Sequence, residues 1–394
     1  MSFRFLLLFS FHLLLSHVSA NPLLKPLNQP KLLQIHGKPV KVDSSVPITW
    51  KTFGDTSIEY GLVEENSDGS DYEAKVTEGD LSNHATISLQ KSTISKSTNE
   101  KQSIKNSSYV DEFARYTMLP LAAAAYNDRP QICLNNTFSN VTFFKSVNIT
   151  CDVYGKDDIC AGFTAVSHPD KAIIVSFRGT NTFSQLSVEI SQTALKKQMD
   201  SPIGGKVGYY FADVFQKLWF NNSMGQDLES LQKAYPNYDL WMTGHSLGGA
   251  LASLAAAQIV ADGKFDVSKI KLYTFGQPRT GDADYANALD AHLLAENTYR
   301  ITHSRDPVVH LPPHKYYNFT HNKAEVWYSN DMTVNKTYSL CTEHQESRNC
   351  SAQISYVFFR NDHLYYFNKH VSNYGKADCV TVEKKKDSWW SWFG

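Results

Sequence analysis

The sequence lacks an excess of charge of either sign: 38 Lys and Arg stand against 39 Asp and Glu, a net charge of -1. No surplus of cations is available to neutralise phosphates, which excludes a strongly basic nucleic-acid binder. A CxxC pair is also missing. The six cysteines, Cys133, Cys151, Cys160, Cys341, Cys350 and Cys379, therefore have the spacing of neither a zinc ribbon nor a thioredoxin-like redox motif. No ligand cluster with metal spacing occurs elsewhere, so no metal or organic cofactor is implied. Beyond the first 20 residues no apolar run approaches a bilayer span; the longest, 247–261, is broken by Gly248, Gly249 and Gln258. Internal repeats are absent.

What is present is ordinary for a folded chain. Apolar residues at 42% and charged residues at 20% exclude disorder throughout. A length of 394 residues predicts one large domain with additional pieces. Aromatics, at 13%, suffice to wall an apolar pocket or to fill a core. Residues 1–20 read as a secretory signal peptide: Arg4, an apolar stretch from Phe5 to Leu15, then the small-residue end Val18-Ser19-Ala20. A secreted chain, or one held in the lumen of the secretory or lysosomal pathway, gives an even set of cysteines the reading of disulfides. The sequons at Asn106, Asn135, Asn140, Asn148, Asn221, Asn318, Asn335 and Asn349 agree with a glycoprotein.

Residues 21–108 differ in texture from the remainder of the chain. They hold no cysteine and end in the polar tract 91–101, which reads as a linker. Short alternating pieces such as Val46-Pro47-Ile48-Thr49-Trp50 suit strands, so this extension is a propeptide, a small β-rich module or a loose arm. From Tyr109 the pattern becomes α/β. Tyr116 to Tyr126 reads as a helix that Pro120 must start or kink. A continuous apolar run at 172–177 reads as a strand buried on both faces and 238–243 as a second such strand, with 270–275 and 299–303 as a third and a fourth and Leu247 to Val260 as an Ala/Leu helix. Alternating strands and helices predict a central, mostly parallel sheet with helices on both sides, and chemistry at the carboxyl ends of its strands.

The segment Thr243-Gly244-His245-Ser246-Leu247-Gly248-Gly249-Ala250 contains G-x-S-x-G between a buried strand and a small-residue helix, the setting a nucleophile elbow requires. Gly244 and Gly248 leave room for the sharp turn. The helix N-terminus behind Ser246 favours the negative charge that develops in acyl transfer. Ser246 is the expected nucleophile, and its neighbour His245 a hydrogen-bonding or core residue of the elbow.

With Phe177-Arg178-Gly179-Thr180, Phe275-Gly276-Gln277-Pro278-Arg279, His303-Ser304-Arg305-Asp306-Pro307-Val308-Val309 and Asp362-His363-Leu364-Tyr365-Tyr366-Phe367 added in order, the chain resembles the class 3, fungal-type secreted lipases of the α/β-hydrolase fold. The resemblance covers roughly residues 110–380 and leaves 21–108 without a counterpart in the family's minimal members. It implies a catalytic domain over 109–380 and a Lys/Trp-rich tail over 381–394.

A serine hydroxyl needs an imidazole base and a carboxylate to orient it, in this fold in the order Ser, acid, His. By motif position the resemblance implies Asp306 as the acid, with Asp282 and Asp284 as alternatives. It implies His363 as the base; His310, His314, His321, His344 and His370 also lie after the acid, and His370 is the main alternative. The backbone N–H of Leu247 is one oxyanion donor by elbow geometry, and the resemblance supplies Thr180 as the other. Related lipases carry an amphipathic lid where this chain has 181–192. There Phe183, Leu186 and Ile190 share a helical face, while Leu186, Val188 and Ile190 alternate as a strand would. Spacing alone leaves the cysteine pairing open; the resemblance suggests Cys341–Cys350, with Cys133–Cys379 joining the domain's ends and Cys151–Cys160 closing a hairpin.

The expected activity is hydrolysis of acyl glycerides, with a lipid or other acyl ester at an oil–water interface as partner. A phospholipase or a carbohydrate (feruloyl-type) esterase with the same residues is the alternative within the chemistry. A catalytically silent lipid-binding protein is the alternative outside it. The tail, with Lys384, Lys385 and Lys386 beside Trp389, Trp390 and Trp392, suits peripheral contact with a membrane or lipid-droplet surface.

Overall fold

The computed structural model describes residues 109–151, 159–180, 197–314, 318–354 and 357–380, together with six strands between Lys31 and Lys91. Its frame is an eight-stranded sheet. The strands are β1 (Val141–Thr150), β2 (Ile159–Ser167), β3 (Ala172–Phe177), β4 (Asp239–His245), β5 (Ile270–Phe275), β6 (Thr298–His303), β7 (Glu325–Tyr328) and β8 (Ser339–Cys341), lying side by side in chain order. β1 to β3 run antiparallel, β3 to β7 parallel, and β8 antiparallel to β7. The runs expected as strands lie in the parallel centre, shifted by one or two residues at some ends. Hairpin β1–β2 and the pair β7–β8 lie outside those expected runs; β1 and β8 are the sheet's edges, whereas β2 and β7 are covered on both sides and buried.

Alternate side chains of the central strands point to opposite faces, as the pleat requires. Ile173, Val175, Phe177, Leu240 and Met242 enter one core, beneath helices Tyr209–Gln216, Met224–Ala234, Leu247–Asp262 and Ala283–His292. Ile174, Trp241, Tyr273 and Phe275 enter the other, beneath the helical stretch from Asp111 to Ala124. In that stretch a π-helical turn, Ala114–Met118, precedes Leu119–Ala124. Pro120, one residue into the latter, cannot donate to the carbonyl four residues back, and the wider turn absorbs the missing bond.

Helix Leu247–Asp262 is apolar around nearly its whole circumference and correspondingly buried. Three disulfides close the domain: Cys133–Cys379, Cys151–Cys160 across the β1–β2 turn, and Cys341–Cys350. The extension contributes a four-stranded sheet and the pair Ile48–Thr52 and Glu59–Val63. Glu59–Val63 pairs in parallel with Val357–Phe359 of the main domain, in the register Val357 to Gly61 and Phe359 to Val63. Among the described residues no helix is long and apolar enough to cross a membrane.

Candidate active site

Ser246 comes directly after β4, at φ 62° and ψ -130°, in a region that a side-chain-bearing residue occupies only where its surroundings enforce it. Here they do. The Ser246 N–H donates to the Phe275 carbonyl at 2.8 Å, and its carbonyl accepts from the Gly249 N–H at 2.9 Å. A Cβ at Gly244 would run into the Gly248 carbonyl, and one at Gly248 into the Phe177 carbonyl. Strand, turn and helix approach so closely that neither position has room for a side chain.

Asp306 stands past the end of β6, its N–H donating to the His303 carbonyl at 2.9 Å. His363 belongs to the short helix Arg360–Leu364. Backbone bonds lash the two segments together. The Phe359 N–H donates to the Arg305 carbonyl at 3.1 Å, the Arg305 N–H to Asp362 Oδ2 at 2.7 Å, and His303 Nδ1 to the Tyr365 carbonyl at 2.7 Å.

At the meeting point His363 Nε2 lies 2.9 Å from Ser246 Oγ. On the far side of the ring, His363 Nδ1 faces both carboxylate oxygens of Asp306, at 2.9 Å and 3.0 Å. A carboxylate only accepts, so Nδ1 carries the proton and the Nε2 lone pair is left for the serine hydroxyl. Asp306 is fully buried, which alone would raise its pKa. Burial is the largest single influence, but the His363 ring and the hydrogen bonds from His363, Tyr366 and the Val308 N–H together outweigh it, and the net shift is downward. Ser246, Asp306 and His363 are all nearly sealed from solvent, at 1%, 0% and 2% exposure.

Leu247 opens the 16-residue helix behind the serine, where first-turn N–H groups have no partner within the helix. Thr180 lies just beyond β3, on a loop set against the elbow: a Cβ built at Gly179 would sit 3.0 Å from that of Ser246. The alternatives are occupied elsewhere. Asp282 is a buried N-cap accepting from the Tyr285 N–H at 2.9 Å, not the solvated turn residue its neighbours suggest, and Asp284 is exposed. His370 caps helix Val371–Lys376. His314 faces the Phe319 carbonyl, His344 is exposed, and the half-buried His310 and the buried His321 lie beside the Arg279–Glu346 ion pair. His321 Nε2 donates to the Val309 carbonyl at 2.8 Å. Arg279 itself donates to the His310 and Pro312 carbonyls, bracing the loop after Asp306.

Tyr366 and Tyr126 are contributors that sequence reasoning missed, whereas His245 is the hydrogen-bonding, buried elbow residue expected. Tyr366 donates to Asp306, Tyr126 meets His245, and His245 meets the carbonyl of His363. The one available signal for Tyr366 is its position within the motif around His363, and Tyr126 carries none. Seven sequon asparagines (Asn135, Asn140, Asn148, Asn221, Asn318, Asn335 and Asn349) are exposed. Asn106, the signal-peptide segment, the candidate lid 181–192 and the tail 381–394 lie outside the described residues. A cleft of about 210 Å³ lined by Trp219, Phe220, Ile259 and Phe265 opens at the opposite end of helix Leu247–Asp262 from Ser246.

Residues 174–316 match the family model for lipase (class 3). A Caenorhabditis elegans lipase is 36% identical over 293 residues, spanning 66% of this chain and 80% of its own length. Rhizomucor miehei triacylglyceride lipase superposes with a TM-score of 0.58 at 25% identity, over 68% of this chain and 97% of that one. A triacylglycerol lipase whose catalytic centre is formed by a serine protease triad superposes with a TM-score of 0.57 at 26% identity, over the same shares of 68% and 97%.

Proposed function

The chain belongs to the class 3 lipase family, a serine hydrolase of carboxylic esters on an α/β-hydrolase frame, and from that premise we propose that it is a secreted acylglycerol lipase acting through Ser246, His363 and Asp306. What carries the reading is the chain of contacts from Ser246 Oγ to His363 Nε2 at 2.9 Å and from His363 Nδ1 to Asp306 at 2.9 Å. In the proposed cycle Ser246 Oγ attacks the ester carbonyl while His363 Nε2 takes its proton. Asp306 stabilises the imidazolium without itself being protonated. The N–H groups of Leu247 and Thr180 hold the tetrahedral oxyanion, each such donor typically contributing about 3 kcal/mol. His363 then protonates the departing alcohol, the acyl group remains on Ser246, and water repeats the sequence to release the fatty acid.

Secretion is supported by the leader-like residues 1–20, three disulfides and seven exposed sequons. In the proposed organisation residues 21–108 form an extension preceding the catalytic domain over 109–380, and the tail over 381–394 contributes contact with lipid aggregates. The family match and the superposition on triacylglycerol lipases support a substrate presented at an interface.

The decisive experiment compares hydrolysis of an emulsified long-chain triglyceride with that of a soluble short-chain ester, wild type beside Ser246→Ala. Turnover of the emulsion that vanishes in the variant is the expected result. Turnover of the soluble ester alone would overturn the acylglycerol assignment and move the substrate to phospholipid or carbohydrate esters. Absence of serine labelling by a fluorophosphonate would overturn the catalytic reading altogether.

A further inference from the structure

Three segments must hold register for the proposed chemistry: the turn carrying Thr180, the elbow carrying Ser246, and the helix carrying His363. One buried tyrosine ties them together. Tyr126, just past helix Leu119–Ala124, is 2% exposed, and its Oη lies 2.8 Å from His245 Nδ1. The same phenol oxygen lies against the backbone of Gly179, where a Cβ would collide with it. On the other edge of its ring, His245 Nε2 lies 2.8 Å from the carbonyl of His363, and the two imidazoles stack with centroids 4.7 Å apart.

The direction of every bond in this chain is set by its far end. A carbonyl oxygen can only accept, so His245 Nε2 carries a proton. Burial lowers the His245 pKa to about 3, so the ring is neutral and Nδ1 presents a lone pair. Tyr126 must therefore donate to Nδ1. The sequence is Tyr126 O–H to His245 Nδ1 and His245 Nε2–H to the His363 carbonyl, with the Gly179 backbone packed against the phenol oxygen.

Resting on the lipase reading, we propose that Tyr126 and His245 are positioning residues whose hydrogen bonds, through the imidazole tautomer set by the His363 carbonyl, hold the oxyanion turn, the nucleophile and the base at their working separation. Neither side chain meets the ester. Without the phenol hydroxyl, the buried Nδ1 lone pair of His245 has no donor and the ring loses the anchor on one of its two edges. The ring is then free to shift from the His363 carbonyl, and the helix that carries the base shifts with it.

The test combines kinetics with nitrogen-15 NMR of labelled histidines. In the wild type, His245 is expected as a neutral Nε2–H ring from about pH 5 to about pH 9. Tyr126→Phe is expected to leave the proton on Nε2, to move the Nδ1 resonance to that of a lone pair without a donor, and to lower kcat on a soluble short-chain ester on the order of ten- to a hundred-fold. KM should stay within about twofold, since substrate contacts are untouched. His245→Met should behave likewise, whereas His245→Gln, whose amide nitrogen reaches the Nε2 position, should recover most of the kcat lost in the methionine variant. Wild-type kcat in both Tyr126→Phe and His245→Met, or a wild-type His245 ring found as Nδ1–H or titrating near its ordinary value, would overturn the proposal. If the wild type hydrolyses no ester and takes no fluorophosphonate, the lipase reading falls, and the wild-type tautomer still decides whether the relay exists.

Discussion

Tyr366 Oη donates to Asp306 Oδ2 at 2.7 Å, on the same carboxylate oxygen that faces His363 Nδ1 at 2.9 Å. The buried acid is thus held by donors on both oxygens, since the Val308 N–H reaches Oδ1 at 2.8 Å. Removing the phenol hydroxyl leaves one lone pair of a buried carboxylate unsatisfied, which costs roughly 1.5–3 kcal/mol for a charge-assisted bond. Tyr366→Phe should lower kcat several-fold and raise the Asp306 pKa. A carboxylate depressed in the folded state stabilises the fold at neutral pH and loses that contribution as pH falls through its folded value. In the variant the loss should begin at higher pH, which melting temperatures measured from neutral to acid will show.

The roles of His363 and His370 separate cleanly by substitution. His363→Ala removes the group 2.9 Å from Ser246 Oγ and should reduce kcat by at least about a thousand-fold. His370 accepts from the Asn373 N–H at the start of helix Val371–Lys376, so His370→Ala should lower stability by about 1 kcal/mol and leave kcat within a few-fold. Comparable loss of kcat in the two variants would contradict the assignment of the base.

Much of this site can be read from the chain because its parts are sequence-local. A buried run, a glycine-flanked serine and an Ala/Leu helix lie within 238–260, so strand, turn and nucleophile are visible together. Asp306 and His363 are visible only through the motifs around them, because nothing local distinguishes His363 from His370. The partners that hold them are not visible at all. Tyr126 is 119 residues from His245 and Tyr366 is 60 from Asp306, distances over which pairing is decided by the sheet's topology and not by spacing. The same holds for β1, whose mixture of polar and apolar residues is that of any exposed segment until a neighbour covers one face.

Acid should destabilise the fold well before its carboxylates titrate. Burial pushes His245 down to about 3, His310 down to about 4, and His321 well below its ordinary value. Above about pH 6.5 these rings are neutral in both states and contribute nothing to the dependence. Below it the unfolded chain binds protons that the folded chain refuses, so stability falls by roughly 1.4 kcal/mol per pH unit for each ring. Melting temperature should therefore decline steadily from pH 6.5 towards pH 4. A flat profile over that range would show that these rings take up protons while folded.

Among the disulfides, Cys133–Cys379 closes a separation of 246 residues, and the other two close 9 each. In a chain-entropy treatment the long closure stabilises by roughly 3 kcal/mol more than a short one. Replacing Cys133 and Cys379 together by Ala should lower the melting temperature further than replacing either other pair.

The extension is attached to the catalytic domain by more than its peptide linkage. Glu59–Val63 and Val357–Phe359 pair in parallel, and the helix bearing His363 begins at the next residue, Arg360. Main-chain pairing of this kind survives a cut elsewhere in the chain, because it depends on the strands and not on the connection between them. Cleavage within the polar tract 91–101 should therefore leave the fragment bound, co-eluting with the catalytic domain on native size-exclusion chromatography and separating only in denaturant. A chain lacking 21–108 leaves one edge of Val357–Phe359 unpaired. Its amides there should exchange with deuterium faster than in the full chain, while those of the central strand β4 exchange unchanged. Equal protection of Val357–Phe359 with and without the extension would show that this pairing does not hold in solution.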